Sequence, residues 1–169
     1  MSHEWEATVN ARSYGYGCPK CSAGITEGKF RDAFEKISSM DFSSNRIRLV
    51  RFSRKLDRAQ IDMLNDDLML VIEYDGEWTH GANSPDGKTL DQKLAEDKET
   101  TQALVDIGYN VIRIREHTKV RKLPFIPLDE EYTSSVFQMA YKSSGKDKNN
   151  IVDIVQSIIK AKQIWFQNQ

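Results

Sequence analysis

The sequence predicts an α/β fold with a mixed sheet, and three stretches carry that prediction. Residues 68–75, LMLVIEYD, form an apolar run of strand length. Residues 90–107 repeat apolar positions at helical spacing and are followed by Gly108, a residue type that commonly ends helices. Residues 109–116, YNVIRIRE, alternate isoleucine with arginine, as a strand with two different faces does. A strand, a helix and a further strand in this order indicate a crossover within one sheet.

The other predicted elements precede the apolar run. Residues 26–38 predict a helix with an apolar stripe of phenylalanine and isoleucine. Residues 46–53 alternate as a strand does, and residues 59–65, AQIDMLN, predict a second strand joined to the apolar run by an Asn-Asp-Asp turn. The predicted order is therefore helix, three strands, helix, strand.

Composition divides the chain into three parts. Residues 1–24 are rich in glycine and aromatic residues and have too little apolar mass to fold without a metal ion or docking onto the core. Residues 25–128 contain the predicted core. Residues 129–169 predict a linker, which includes the polar run KSSGKDKNN, and an amphipathic C-terminal helix over about residues 151–165.

Length and hydropathy place limits on the class of protein. The chain has 169 residues, of which 39 % are hydrophobic, and a formal net charge of −1. It contains no apolar run near the ~20 residues of a membrane span, and it does not begin with a basic-then-apolar leader. We therefore expect a cytoplasmic protein with no membrane partner.

Basic residues lie on either side of an acidic centre. Residues 46–58 carry six lysines and arginines against one acid, and a second basic run spans residues 113–122. Residues 62–99, between them, are mainly acidic. A protein that holds phosphates on one surface and metal ions on another shows this pattern, and so do the solvated faces of ordinary strands and helices. Charge alone does not decide between them.

Carboxylates gather where the apolar strand ends. Glu73 and Asp75 are two positions apart, so they share one face of a strand. Two carboxylates this close repel each other unless a proton or a cation joins them. Asp62 in the preceding strand can lie beside them, and three converging carboxylates suit Mg²⁺ or Mn²⁺. The alternative is that all three acids face solvent at the edge of the sheet.

This pattern resembles the PD-(D/E)XK nuclease superfamily, and more narrowly the very-short-patch-repair-like endonucleases. Residues 72–81, IEYDGEWTHG, have the glycine and the histidine at the spacing of that family. The family's following run is matched by Asp97, Leu104, Gly108, Tyr109, Val111 and Arg113. The resemblance covers about residues 26–116. It implies a restriction-endonuclease-like fold and the Mg²⁺- or Mn²⁺-dependent hydrolysis of DNA phosphodiester bonds.

The metal ligands that the resemblance implies are Asp62, Glu73 and Asp75. His80 would be a general base beside the metal-bound water, since histidine exchanges protons near neutral pH. Its alternative role is to hydrogen-bond the loop that follows. The acid on the first helix best matches Glu27, with Glu35 as the weaker match. Asp97 either orients His80 or is a surface acid of its helix.

The sequence departs from the superfamily at its lysine, because Asp75 occupies that position. Lys98 on the following helix can supply a positive charge or contact DNA, or it is a solvated helix residue. The further DNA contacts that we expect are Arg12, Arg51, Arg54 and Arg58. The departure leaves open an alternative function, a catalytically inactive nuclease-fold module that binds DNA or serves in an assembly. A homodimer is a possible partner arrangement, because reading one short site needs added recognition elements or a second copy.

The N-terminal segment resembles the zinc-ribbon repeats that are fused to such endonucleases. The zinc ligands that this resemblance implies are His3, Cys18 and Cys21. A structural zinc site usually has four ligands. The family's leading cysteine lies before the first residue, so the ribbon is expected to be truncated. The fourth ligand is then His117, a carboxylate, a neighbouring chain or absent, and the alternative is a zinc-free remnant packed on the core.

Overall fold

The structure is a computed structural model, and it describes residues 25–50, 55–80, 87–119, 121–144 and 149–167. The strands in these ranges are β1 (Ser43–Val50), β2 (Lys55–Asn65), β3 (Leu70–Asp75), β4 (Asn110–His117) and β5 (Val136–Lys142). The α-helices are α1 (Ile25–Ser38), α2 (Glu77–His80), α3 (Leu90–Asp106) and α4 (Ile151–Ala161). Short 3₁₀ helices span Glu130–Tyr132 and Gln163–Phe166. Within the described ranges, no helix combines the length and the apolar character that a membrane crossing requires.

The strands lie side by side in chain order and form one mixed sheet. β1 and β2 pair antiparallel, as do β2 and β3, whereas β3, β4 and β5 run parallel. Parallel neighbours need a crossover connection, and α3 lies in the connection between β3 and β4. The predicted α/β class, the mixed sheet and the order of its first six main elements are confirmed. The parallel strands also bring their carboxyl ends to one edge of the sheet.

Helices cover both faces of this sheet. α1 and α4 pack on one face, where Phe30 and Phe34 of α1 and Ile158 of α4 are fully buried. α3 packs on the other face through Ala103 and Leu104. The isoleucines and valines of the central strands therefore enter two separate cores. Such two-sided burial is expected for parallel strands.

β2 contains a bulge next to Asp62, one of the three predicted metal ligands. Over residues 61–64, β2 has one more residue than the stretch of β1 that it pairs with. A bulge re-aims the side chains next to it. The ladder between β2 and β3 also ends at the pair Met63 and Ile72. Asp62 therefore lies where β2 and β3 stop exchanging backbone hydrogen bonds.

The C-terminal part contains more than the predicted linker and helix. The helix is confirmed as α4, but β5 adds a fifth strand, parallel to β4. The sheet therefore continues past residue 128, the end of the core that the composition predicted. In VFQMAYK only Val136 and Tyr141 are buried, the four residues between them are half-buried, and Lys142 is exposed. A strand covered in this way lacks the clean alternation that identifies strands in a sequence.

We expect Gly108→Ala to lower the free energy of unfolding by about 1–2 kcal/mol, because Gly108 has a positive φ that L-residues disfavour. Its φ is +99°, and a Cβ added there would lie 3.3 Å from Cε of Met69. The matched control is Gly28→Ala in α1, where no atom lies within 4 Å of the added Cβ. That change is expected to stabilise the helix by about 0.5–1 kcal/mol. Urea unfolding followed by circular dichroism measures both, and an equal loss at the two glycines would contradict the conformational reason.

Candidate active site

Asp75 ends β3 inside a buried network of charges. Arg113 donates to both of its carboxylate oxygens, at 2.9 Å from Nε to Oδ2 and also from Nη2 to Oδ1. Arg115 adds a hydrogen bond of 2.8 Å from Nη1 to Oδ2. Burial would raise the pKa of Asp75, but the charge and hydrogen bonds of Arg113, together with the charges of His80 and Arg115, outweigh burial and lower it. Asp75 is therefore an ionised carboxylate whose two oxygens already have cationic partners.

The register of the parallel strands explains this pairing. In the β3–β4 ladder, Glu73 lies opposite Arg113 and Asp75 lies opposite Arg115. The predicted alternation of β4 is confirmed, since Ile112 enters the core beneath α1 and α4 whereas the arginines point to the opposite face. The arginines are buried, however, so these first members of the second basic run are ion-pair partners and not phosphate contacts. The sequence signal for the burial of these arginines was the predicted crossover, because parallel strands are usually covered on both faces.

Asp97 joins the same network from α3. Its Oδ2 accepts a hydrogen bond of 2.7 Å from Arg115 Nη1, and its Oδ1 lies 3.0 Å from Nδ1 of His80. Burial would raise the pKa of Asp97, but Arg113 lowers it, so Asp97 is an anionic acceptor for the His80 N–H. Of the two interpretations of Asp97, the partner of His80 is confirmed and the surface acid is wrong, because Asp97 is buried.

The hydrogen bond to Asp97 assigns a tautomer to His80. With its hydrogen on Nδ1, a neutral His80 presents Nε2 as a proton acceptor. Nε2 lies 3.6 Å from Oδ1 of Asp75. His80 is also the last residue of α2, and its side chain is only partly buried. His80 is therefore the side chain beside this network that a substrate can reach.

Glu73 shares a face with Asp75 but has a different partner, Asp62 of β2. The backbone N–H of Asp62 donates to Oε2 of Glu73 at 3.3 Å, and Asp62 Oδ2 accepts from the backbone N–H of Tyr74 at 2.9 Å. Burial, followed by the charge of Asp62, raises the pKa of Glu73 well above its usual range. Burial also raises the pKa of Asp62. The two carboxyl groups form a pair that requires a proton or a cation.

Glu27 belongs to the surroundings of this acid pair. Arg31 Nη2 donates to Glu27 Oε1 at 2.9 Å and also to the carbonyl oxygen of Asp62. Burial, and then the charge of Asp62, raises the pKa of Glu27. Glu35 has another role, because its carboxylate accepts the backbone N–H of Phe42 at 3.0 Å. Of the two acids on α1, the structure brings Glu27 toward Asp62.

The charges separate the site into two groups. The ion network has two anions and two cations, whose members are Asp75, Asp97, Arg113 and Arg115. The acid cluster has three carboxyl groups and one arginine, and its members are Glu27, Asp62, Glu73 and Arg31. The first group is balanced, whereas the second has an excess of acidic groups. By charge alone, the acid cluster is therefore the group that an added cation would bring closer to balance.

In the part of the chain that the structure describes, one group of possible metal ligands has donor atoms that all lie within 4.8 Å of one another. Its members are Asp75, His80 and Asp97. The predicted set of Asp62, Glu73 and Asp75 does not meet that distance there, and neither does the acid cluster of Glu27, Asp62 and Glu73. A metal ion in the Asp75 group would compete with two buried guanidinium groups for the same oxygens. The donor types fit a metal ion, but the arginines would first have to give up these contacts.

Other predicted site residues have separate positions. Lys98 Nζ donates to Oδ1 of Asp129 at 2.9 Å in an exposed pair. His117, one option for a fourth zinc ligand, has Nε2 at 3.1 Å from the carbonyl oxygen of Leu123. Arg58 belongs to β2, but its side chain is not described. The remaining predicted residues lie outside the described ranges, and they are His3, Arg12, Cys18, Cys21, Arg51 and Arg54.

Comparison with known proteins identifies no family. The chain matches no protein-family profile, no curated protein and no solved structure. The interpretation of the site therefore depends on its residues and their geometry.

Proposed function

We propose that this protein is a metal-dependent DNA endonuclease whose acid cluster holds Mg²⁺ or Mn²⁺. The observation that carries the proposal is the pairing of half-buried Asp62 with buried Glu73, whose carboxyl groups each accept a backbone N–H from the other strand and both have raised pKa values. Hard divalent cations prefer carboxylate oxygens of this kind. When bound, such an ion supplies an activated water and neutralises charge on a phosphoryl group.

The backbone prepares these acids for a cation. Asp62 and Glu73 each accept a backbone N–H from the neighbouring strand, at the place where the β2–β3 ladder has ended. These contacts restrain the two carboxyl groups without neutralising them. Glu27 approaches from α1 and adds a third carboxyl group whose pKa is also raised. A cation would relieve the repulsion that a shared proton relieves in its absence.

The ion network provides the acid–base part of the proposed mechanism. Asp97 holds His80 through Nδ1 and leaves Nε2 to accept a proton from the attacking water. Arg115 bridges Asp97 and Asp75 and so restrains the acid that orients His80. In this proposal Asp75 positions the network and does not donate to the metal ion. The position that holds lysine in the superfamily would then hold an acid that supports two arginines.

One observation favours a second candidate, a nuclease-fold module that binds DNA without cutting it. Both carboxylate oxygens of Asp75 are occupied by Arg113 and Arg115. In a catalytic site that used Asp75 as a ligand, these contacts would block the metal ion. The two candidates differ in whether Asp62, Glu73 and Glu27 can support cleavage without Asp75 as a metal ligand.

Plasmid cleavage with Mg²⁺ or Mn²⁺ tests the proposal. We expect Asp62→Ala and Glu73→Ala each to reduce cleavage by about a hundredfold or more, since a metal ion stabilises the transition state by several kcal/mol. The control is Asp67→Ala, which changes an exposed acid in the turn between β2 and β3 and should cut as the wild type does. Absence of cleavage by the wild-type protein, at concentrations where it binds the plasmid, would replace the endonuclease with the inactive module.

A further inference from the structure

A loop with three cationic residues and one exposed aromatic ring follows β4. This basic loop, residues 118–128, reads TKVRKLPFIPL and contains no acid. It leaves the sheet at the carboxyl end of β4, the edge at which Asp75 also lies. Phe125 is 50 % exposed, whereas Leu123 and Ile126 on either side of it are buried. The loop therefore presents a phenylalanine between two residues that anchor it.

The backbone around Phe125 is fixed by specific contacts. The side-chain amide of Gln138 on β5 bonds both polar groups of Ile126, accepting from its N–H at 2.7 Å and donating to its carbonyl oxygen at 3.0 Å. Pro124 and Pro127 further restrict the chain on both sides. The exposure of Phe125 is consequently a property of an anchored backbone and does not come from a loose loop.

The basic loop is also tied to the proposed active site. Arg115 Nε donates to the carbonyl oxygen of Pro124 at 3.0 Å, while its Nη1 bonds Asp75 and Asp97. Arg121 Nη1 donates to Oε1 of Glu77 at 3.1 Å, and Glu77 begins the short helix α2 that ends at His80. One arginine of the buried network thus contacts the residue directly before Phe125. The basic loop therefore contacts both the buried network and the short helix that ends at His80.

Charge and exposure point to the ligand. Lys119 and Lys122 are exposed on the loop, and they suit phosphate oxygens. A single exposed phenylalanine is ordinary on a protein surface. An exposed aromatic ring on an anchored backbone, in the same loop as exposed lysines, is the kind of surface on which unpaired bases stack. Because the backbone that carries the ring is already anchored, stacking costs little additional ordering of the backbone.

We propose that Phe125 is a stacking platform for one unpaired DNA base, with Lys119 and Lys122 on the neighbouring phosphates. This inference rests on the proposed function in that the bound strand would be the one presented to the acid cluster. It adds a preference for DNA in which a base is unpaired, as in a single strand, an overhang or an extruded nucleotide. The base edge is not read, so the preference is for unpaired structure and not for sequence.

Fluorescence anisotropy with the full chain in EDTA tests this, using a labelled single-stranded oligonucleotide and the matching duplex. We expect Phe125→Ala to weaken single-strand binding about tenfold, and duplex binding less than about twofold, since one stack is lost. Phe125→Trp should retain the affinity. Ile164→Ala is the matched control, because Ile164 is an exposed apolar residue of a different element and its removal should change neither affinity. Replacing both lysines by alanine should weaken the salt dependence, reducing the steepness of the fall of log affinity with log salt by about 2.

Each outcome decides something. Equal single-strand affinity of Phe125→Ala and wild type, or an equal loss on both DNA forms, would overturn the stacking platform. Binding in EDTA requires no cleavage, so this test is separate from that of the endonuclease. If single-strand affinity depends on Phe125 but neither metal supports cleavage, the stacking platform stands and the protein is the inactive module. Cleavage without such dependence would leave the endonuclease and remove the platform. Failure to bind either DNA form in EDTA would overturn the platform, whereas the plasmid assay with Mg²⁺ or Mn²⁺ decides the endonuclease.

Discussion

Replacing Asp75 with alanine is expected to lower the free energy of unfolding by about 3–5 kcal/mol, because a buried ion pair that loses one partner leaves an uncompensated charge. Asp75 is 1 % exposed, and Arg115 is fully buried. Two guanidinium groups bond the Asp75 carboxylate, so the variant would leave both arginines short of an anion. Asp97 would then be the remaining acid that bonds Arg115 in the network.

Urea unfolding at neutral pH measures this effect. Asp67→Ala, the exposed acid used as a control for cleavage, should change stability by less than about 0.5 kcal/mol. Asp75→Asn keeps the shape of the side chain and removes its charge, so it separates packing from electrostatics. A loss below about 1 kcal/mol in Asp75→Ala would contradict the structural role. A loss of the expected size means that lost cleavage in an Asp75 variant cannot by itself identify a metal ligand.

The pH dependence of this network has a definite sign. The pKa values of Asp75 and Asp97 are lowered in the folded protein, where burial is outweighed by the combined effect of Arg113 and the other cationic partners. Each acid therefore adds stability above the ordinary pKa of an aspartate, and this contribution is lost as the pH falls through the lowered value. The acid pair of Asp62 and Glu73 has the opposite sign, because both of its pKa values are raised.

Replacing Glu73 with glutamine is expected to make stability nearly independent of metal ions and to remove a loss of stability at higher pH. Without metal, folded Glu73 keeps a proton that the unfolded chain releases above the ordinary pKa of a glutamate. The contribution of Glu73 to the free energy of unfolding of the wild type is therefore lost as the pH rises through the raised pKa. Mg²⁺ or Mn²⁺ at 100 times its dissociation constant should restore about 2.7 kcal/mol.

Denaturant unfolding at pH 5 and pH 8, in EDTA and in Mn²⁺, gives the four values needed. We expect the metal-dependent gain in the wild type to be larger at pH 8, where the cation replaces a proton that binds less readily. Glu73→Gln should gain little from Mn²⁺ at either pH. Asp67→Asn, an exposed carboxyl-to-amide change, should respond as the wild type does. An equal response of wild type and Glu73→Gln to Mn²⁺ would show that the ion binds elsewhere.

Several features of the fold could be read from local patterns. The alternation of isoleucine and arginine in β4 predicted two different faces, and the helical spacing before Gly108 predicted α3. Glu73 and Asp75 were expected on one face of β3 because side chains in a strand repeat every second residue. These predictions are confirmed because each depends on residues within one element. β5 was not predicted, since the middle of this strand is half-buried and lacks that alternation.

The sequence by itself determined the main helices and the first four strands, their order and the face on which the two acids of β3 lie. Only the tertiary structure decided their partners. Asp75 is paired with Arg113, 38 positions away, whereas Glu73 is paired with Asp62, 11 positions away across a different strand. The alternation within one strand predicts the face on which a side chain lies, but the register of the neighbouring strands determines its charged partner. That register depends on the packing of the whole sheet, which is why the two neighbouring carboxylates have different electrostatic environments.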